Sequence, residues 1–184
     1  MSNYRRARVA GGTFFFTVVA YRRQPILCDE PVRAALREAI REVRQSSPFK
    51  IDAWVLLPDH LHCIWTLPPD DGDFSLRRSL IKRRVSLAVG AQYRRAEWLN
   101  ASKLKHREST VWQRRFWEHS IRDEEDLRRH VDYLHFNPVK HGLVSGASDW
   151  PHSTFHRFVE AGIYPADWAW NNVDSSQPLQ MPFS

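Results

Sequence analysis

Ile51-Asp52-Ala53-Trp54-Val55-Leu56-Leu57-Pro58-Asp59-His60-Leu61-His62-Cys63-Ile64-Trp65-Thr66-Leu67 holds two apolar runs, Ile51 to Leu57 and Leu61 to Leu67, parted by Pro58-Asp59-His60. Proline and aspartate favour a reversal, and short runs rich in Val, Ile and Trp suit strands. The stretch therefore predicts an antiparallel hairpin. Upstream, Thr13 to Ala20 is rich in Phe, Val and Thr and follows Gly11-Gly12, the pattern of a strand leaving a turn. Between that strand and the hairpin, Asp29-Glu30-Pro31 makes a helix start. Val32, Leu36, Ala39, Ile40 and Val43 then recur at helical spacing to about Arg44.

Downstream of the hairpin, Pro68 to Asp73 reads as a loop, and Leu76, Leu80, Ile81, Val85 and Ala88 give a helical stripe from Phe74 to about Tyr93. On this reading Arg77, Arg78, Lys82, Arg83 and Arg84 form a basic outer surface. Residues 94 to 111 are polar, basic and without clear period, which predicts a mobile loop. Phe116 to Arg122 suits a fourth strand, and Asp123-Glu124-Glu125-Asp126 an acidic helix N-terminus. The third helix is expected to stop near Phe136, because Pro138 disfavours helical geometry at Asn137. The order βαββαβα predicts an α+β fold: a ferredoxin-like split βαβ domain with an antiparallel sheet and an added helix. Residues 1–184 read as one domain, with 143–184 a C-terminal tail packed through Trp150, Phe155, Phe158 and Trp168.

The chain has 184 residues, 42% of them hydrophobic, with 10 Phe, 8 Trp and 5 Tyr, enough for a core and unlike a disordered chain. No apolar run approaches the roughly 20 residues of a membrane helix, and the N-terminus lacks an apolar signal segment. Two cysteines, Cys28 and Cys63, make neither a disulfide framework nor a four-thiolate zinc site, which points to the reducing cytoplasm.

The net charge of +6 is unevenly spread. Arg77 to Arg115 contains twelve basic residues and two acids, Glu97 and Glu108, so the remainder of the chain is net negative. Arg5, Arg6, Arg8, Arg22 and Arg23 form a second cluster before the first acid, Asp29. Basic blocks interleaved with aromatics, such as Trp112-Gln113-Arg114-Arg115-Phe116-Trp117, suit a polyanion whose bases stack on rings, and so point to nucleic acid.

Two groups of residues carry possible chemistry. His60 and His62 lie two apart at the mouth of a strand, so both imidazoles face one side while Leu61 points into the core. Such a pair suits one cation, and equally suits two polar turn histidines. On the third helix Leu127, Val131 and Leu134 form the buried stripe, while His130, Tyr133 and Asn137 fall along one flank. A phenol, an imidazole and an amide then share an edge, as they also do at many purely structural core margins.

Several segments together resemble one family. They are Tyr4-Arg5-Arg6, Gly11-Gly12-Thr13, Ala53 to Trp65, Trp112 to His119, and Tyr133-Leu134-His135-Phe136-Asn137-Pro138-Val139-Lys140-His141-Gly142. In this order they look like the REP-associated tyrosine transposases, single-tyrosine members of the HUH endonuclease superfamily. The resemblance implies a DNA strand-cleaving and rejoining enzyme acting on single-stranded DNA with hairpins, the repetitive extragenic palindromes, through a 5′-phosphotyrosine link. It implies Tyr133 as nucleophile, and His60, His62 and Asn137 as ligands of a divalent metal, Mg2+ or Mn2+. Related insertion-sequence transposases carry glutamine where Asn137 stands, which keeps the amide oxygen on a longer arm. Those relatives dimerise; here the tail would cover that surface, which favours a monomer.

The basic residues Arg5, Arg6, Arg8, Arg77, Arg78, Lys82, Arg83, Arg84, Arg114 and Arg115 are the expected DNA contacts. His119, His130 and His135 are candidate general bases. Two other readings remain open on the sequence: a non-catalytic module that clamps a hairpin, and a metal-dependent nuclease that uses water.

Overall fold

The computed structural model describes residues 9–106 and 108–169. Strands β1 (Thr13–Val19), β2 (Lys50–Leu56), β3 (His60–Thr66) and β4 (Trp117–Ser120) form one antiparallel sheet in the order β2-β3-β1-β4. Helices α1 (Glu30–Ser46), α2 (Phe74–Tyr93), α3 (Ala101–Lys105), α4 (Glu124–Lys140) and α5 (Phe155–Glu160) complete it. The βαββαβα order and the ferredoxin-like strand order match the sequence expectation. None of the described helices is long and apolar enough to cross a membrane.

Both faces of the sheet are covered, which is why Phe14, Phe15 and Phe16 run without polar alternation. Phe14, Phe16, Val18, Leu61, Cys63 and Trp65 pack under α1 and α2. Phe15, Ala53, Val55 and Ile64 face the opposite way, toward Val131 and Leu134 of α4. His60 and His62 alternate with Leu61 and Cys63, so they share the α4 side with Ile64.

The stripe expected on α2 holds at Ile81 and Val85, with Leu80 partly buried, but not at its two ends. Its buried residues are Phe74, Arg77, Arg78, Ile81, Val85, Val89 and Tyr93, whereas Leu76 is 48% exposed and Ala88 is at the surface. Arg77, only 1% exposed, replaces an apolar side chain for a local reason. Its guanidinium donates to Ser47 O and Pro48 O, just past the end of α1, and to Asp73 O. It also pairs with Asp71 at 2.6 Å. A cation at these carbonyls satisfies acceptors that no backbone N–H reaches and complements the helix dipole. Arg78 is also buried, with its guanidinium 3.1 Å from the centroid of the Phe116 ring. Arg77 and Arg78 are therefore internal ties and not the DNA contacts expected of them. Arg77→Ala should lower stability by about 2 kcal/mol or more, because it removes the donor to the carbonyls of Ser47, Pro48 and Asp73 and leaves a cavity. Urea unfolding reads that loss, and an unchanged midpoint would contradict it.

Two further expectations need correction. Residues 94–111 are not a featureless loop: a turn at Ala96–Trp98 leads into α3, whose N-cap Asn100 accepts from Lys103 N–H. Buried Thr110 accepts from Arg95 N–H through Oγ1 and from Gln24 Nε2 through its carbonyl. Polar residues here satisfy backbone groups, a job that leaves no hydrophobic period. Helix α4 also continues past Pro138, which lies in its last turn, to Lys140. Gly142 supplies the true stop: at φ 66° it lets its own N–H bond Val139 O and Leu143 N–H bond Pro138 O, a Schellman motif. Asn137 consequently lies inside the helix, one turn beyond Tyr133.

The tail packs along the outer edge of β2. Leu56 N–H bonds His152 O, Thr154 N–H bonds Trp54 O, and Ser153 bridges Val55. Trp150 Nε1 donates to Leu56 O, and Phe155, Tyr164 and Trp168 build a small cluster against Phe136.

Candidate functional site

Each histidine of the pair is fixed through Nδ1. His60 Nδ1 lies 2.6 Å from Asp59 Oδ1, and Arg23 donates to the other oxygen of that carboxylate at 2.8 Å. A carboxylate only accepts, so His60 donates from Nδ1, which leaves Nε2 as the nitrogen that can face a cation. Burial pushes the Asp59 carboxyl up, but hydrogen bonds from His60 and Arg23 outweigh it and hold it below its usual range. His62 Nδ1 lies 2.8 Å from Thr17 Oγ1, its neighbour across the β1–β3 ladder. Burial first, then the adjacent His60, drives the His62 pKa well below the usual value, so the ring is neutral at pH 7. The two rings sit 4.9 Å apart.

From the other layer, α4 brings Tyr133 and Asn137 over this pair. The Tyr133 ring is 5.3 Å from His62 and 6.0 Å from Phe15, with Lys140 Nζ 5.3 Å over its centroid. Asn137, fully buried, donates from Nδ2 to Tyr133 O at 2.9 Å, the preceding turn's carbonyl. That bond fixes which amide atom is left over. Asn137 Oδ1 and His62 Nε2 are both buried, the Asn137 amide lying beside the His62 ring, and neither atom makes a hydrogen bond of good geometry. Poorly satisfied acceptors of this kind cost folding energy, and a cation satisfies them. The donor set of two imidazole nitrogens, each with its other nitrogen engaged, and one amide oxygen fits a divalent metal.

His130 shares the flank of α4 with Tyr133 and Asn137, its ring on Phe15 at 5.0 Å, but it is engaged away from the histidine pair. His130 Nδ1 bonds Asp126 O at 2.7 Å, and its ring stacks on His119 at 4.5 Å. His135 lies on another face, bonded to Thr154 Oγ1 and ringed by Phe155, Phe158 and Tyr164. Thr17, Asp59, Lys140 and His141 join the site without having been singled out, and Arg23, expected only as part of a basic cluster, joins it through Asp59. Asp59 beside His60, and Lys140 and His141 inside the Asn137 segment, were the signals available.

A family model described as "Transposase IS200 like" matches residues 12–135. A REP-associated tyrosine transposase of Escherichia coli is 48% identical over 177 residues, covering 96% of each chain. The chain belongs to the IS200-like transposases, in their REP-associated tyrosine branch. A solved structure of a REP-associated tyrosine transposase bound to a REP hairpin matches with TM-score 0.77 and 49% identity, covering 92% of both chains.

In this transposase a second group of metal-capable side chains lies at the start of α4. His119, Asp126 and His130 present donor atoms within 4.8 Å of one another. Asp126 Oδ2 already accepts from His119 at 2.8 Å and from the Arg122 backbone and guanidinium at 3.1 Å. The group ties β4 to the first turn of α4 as an ionic hydrogen-bond cluster.

The remaining basic residues divide. Lys82 donates to Gln113 O at 2.5 Å, and burial, aided by Arg78, brings its pKa down to about 7. Arg84 pairs with Glu42 and Arg114 with Glu108. Arg83 and Arg115 are exposed, with no ion pair among the described residues. Arg5, Arg6 and Arg8 lie outside the described residues.

Proposed function

We propose that this transposase cuts and rejoins single-stranded DNA beside hairpin-forming repeats in the cytoplasm, with Tyr133 Oη as the nucleophile. The observation that carries this reading is the meeting of Tyr133 with two adjacent buried atoms, His62 Nε2 and Asn137 Oδ1, that make no hydrogen bond of good geometry. His60, His62 and Asn137 would hold Mg2+ or Mn2+, which supplies Lewis-acid charge and a template for the scissile phosphate. A phenol of pKa near 10 is ionised to about one part in a thousand at pH 7, so its activation needs roughly 4 kcal/mol.

Tyr133 Oη bonds to phosphorus as its proton passes to solvent, and the bond from phosphorus to the 3′ oxygen breaks, that oxygen taking up a proton from solvent. The products are a 5′-phosphotyrosine and a 3′-hydroxyl. Attack by a 3′-hydroxyl reverses the step, and because one phosphoester replaces another no ATP is needed. Hairpin recognition is supported by the REP hairpin held by the similar solved structure. A monomer is supported by the tail, which occupies the β2 edge through which two sheets would otherwise join.

The test is incubation with end-labelled single-stranded hairpins drawn from repeats beside the gene, with and without Mg2+. A metal-dependent protein–DNA adduct is expected. Binding with no covalent product leaves only a hairpin-binding module, and free ends without an adduct mark a nuclease that uses water.

A further inference from the structure

With Arg77 and Arg78 internal, the cations that meet DNA near the site must come from elsewhere. The chain between β1 and α1 offers one. Arg22 and Arg23 are consecutive non-glycine residues in the left-handed region, with φ 55° and 52°. Side chains pay a steric penalty there that glycine would avoid, and backbone strain of this kind clusters at functional sites. Arg23 has a visible task, its 2.8 Å bond to Asp59, which in turn orients His60.

Arg22 has no ion pair among the described residues and is exposed. Its guanidinium is nevertheless held, 5.2 Å over the Trp98 ring and 5.8 Å from the Tyr21 ring. Those rings are 5.9 Å apart, and Lys103 Nζ adds a second cation 3.8 Å from Tyr21. Stacking on aromatic faces leaves the in-plane N–H groups of a guanidinium pointing outward, the geometry that grips a phosphate. The position is set by the sheet: Val19, the last residue of β1, pairs with His60, and Ala20 N–H bonds Asp59 O at 2.8 Å, so Arg22 stands three residues past the strand end.

We propose that Arg22, braced by Trp98 and Tyr21, is a phosphate clamp for the single-stranded DNA that flanks the hairpin at the cleavage site. This rests on the strand-cleavage reading above. The strained backbone aims the guanidinium, the aromatic faces keep it from folding back, and Arg23 ties the same turn to the histidine pair.

The test compares Arg22→Gly with wild type on two probes: a hairpin carrying a single-stranded flank of about ten nucleotides, and the same hairpin blunt-ended. Glycine accepts the left-handed backbone, and relief of that strain offsets its greater unfolded-chain entropy, so the variant should melt within a degree or two of wild type. Affinity for the flanked hairpin should fall about fivefold, and its log–log salt dependence should flatten by about 0.7, the loss of one single-strand phosphate contact. Affinity for the blunt hairpin should not change. Trp98→Leu should reproduce part of the loss by removing the brace. Equal binding of the flanked probe by variant and wild type would overturn the clamp, and equal loss on both probes would move the contact to the stem and overturn the single-strand assignment. A wild type that binds neither probe would instead bring down the hairpin reading on which the clamp rests.

Discussion

Tyr133→Phe should abolish strand cleavage and the protein–DNA adduct together, while hairpin binding and folding survive. The substitution removes one oxygen and keeps a ring that contacts Phe15 and His62, so the packing loss should stay below about 1 kcal/mol. On the proposed reading, binding rests on cations distributed over the surface and should not involve the phenol. Cleavage loses its nucleophile, and water held nowhere in its place should leave a rate at least about 1,000-fold lower. Of the other described tyrosines, Tyr93 bonds Asp29, Tyr164 bonds Asp132, and Tyr21 lies under Lys103. None is placed to substitute. An adduct that persists in Tyr133→Phe would remove the phenol from the mechanism, and cleavage that persists without an adduct would replace it with water.

His62→Ala should have the second largest effect. The ring contributes Nε2 to the donor set and fills space between Phe15 and Tyr133. Its removal should lower Mn2+ affinity at least about 100-fold and bring cleavage to background, with hairpin affinity within about twofold of wild type. His60→Ala should behave alike. Asn137→Ala should lose less, because two imidazoles remain, and Asn137→Gln should retain activity through the same amide oxygen on a longer arm. Thermal melting checks that the vacated space has not unfolded the variant. Mn2+ titration followed by the loss of free-ion paramagnetic resonance reads the affinity independently of cleavage. If His62→Ala binds Mn2+ as wild type does, the donor set is wrong, and full cleavage by wild type in excess chelator would remove the metal altogether.

The sequence exposed those parts of the molecule where one physical demand acts on a segment. In α1 a single buried face produces the spacing Val32, Leu36, Ala39, Val43, and the helix follows it. The hairpin and its histidine pair were legible because strand alternation alone puts His60 and His62 on the face opposite Leu61. Tyr133 and Asn137 were legible as one edge of a helix, but Asn137 was expected beyond that helix's end. Pro138 sits where the local rule breaks a helix, and it was overridden by the Schellman stop at Gly142 a few residues later. Arg77 was misread because polarity is a poor guide when a charged side chain has carbonyls to satisfy inside. The site roles of Thr17, Asp59 and Arg23 were not legible because they arise from strand pairing and a left-handed turn, neither of which leaves a period in the sequence.

The most direct test of the account is to find the atom that carries DNA. Wild-type protein should be incubated with a hairpin oligonucleotide and Mg2+, digested with trypsin and nuclease, and the nucleotide-bearing peptide sequenced by mass spectrometry. The expected product is the peptide that spans residues 130–140, with a 5′-phosphonucleotide on Tyr133 and none on any other residue. A nucleotide on a different residue, or cleaved DNA with no modified peptide, would contradict the assignment of Tyr133 as the nucleophile.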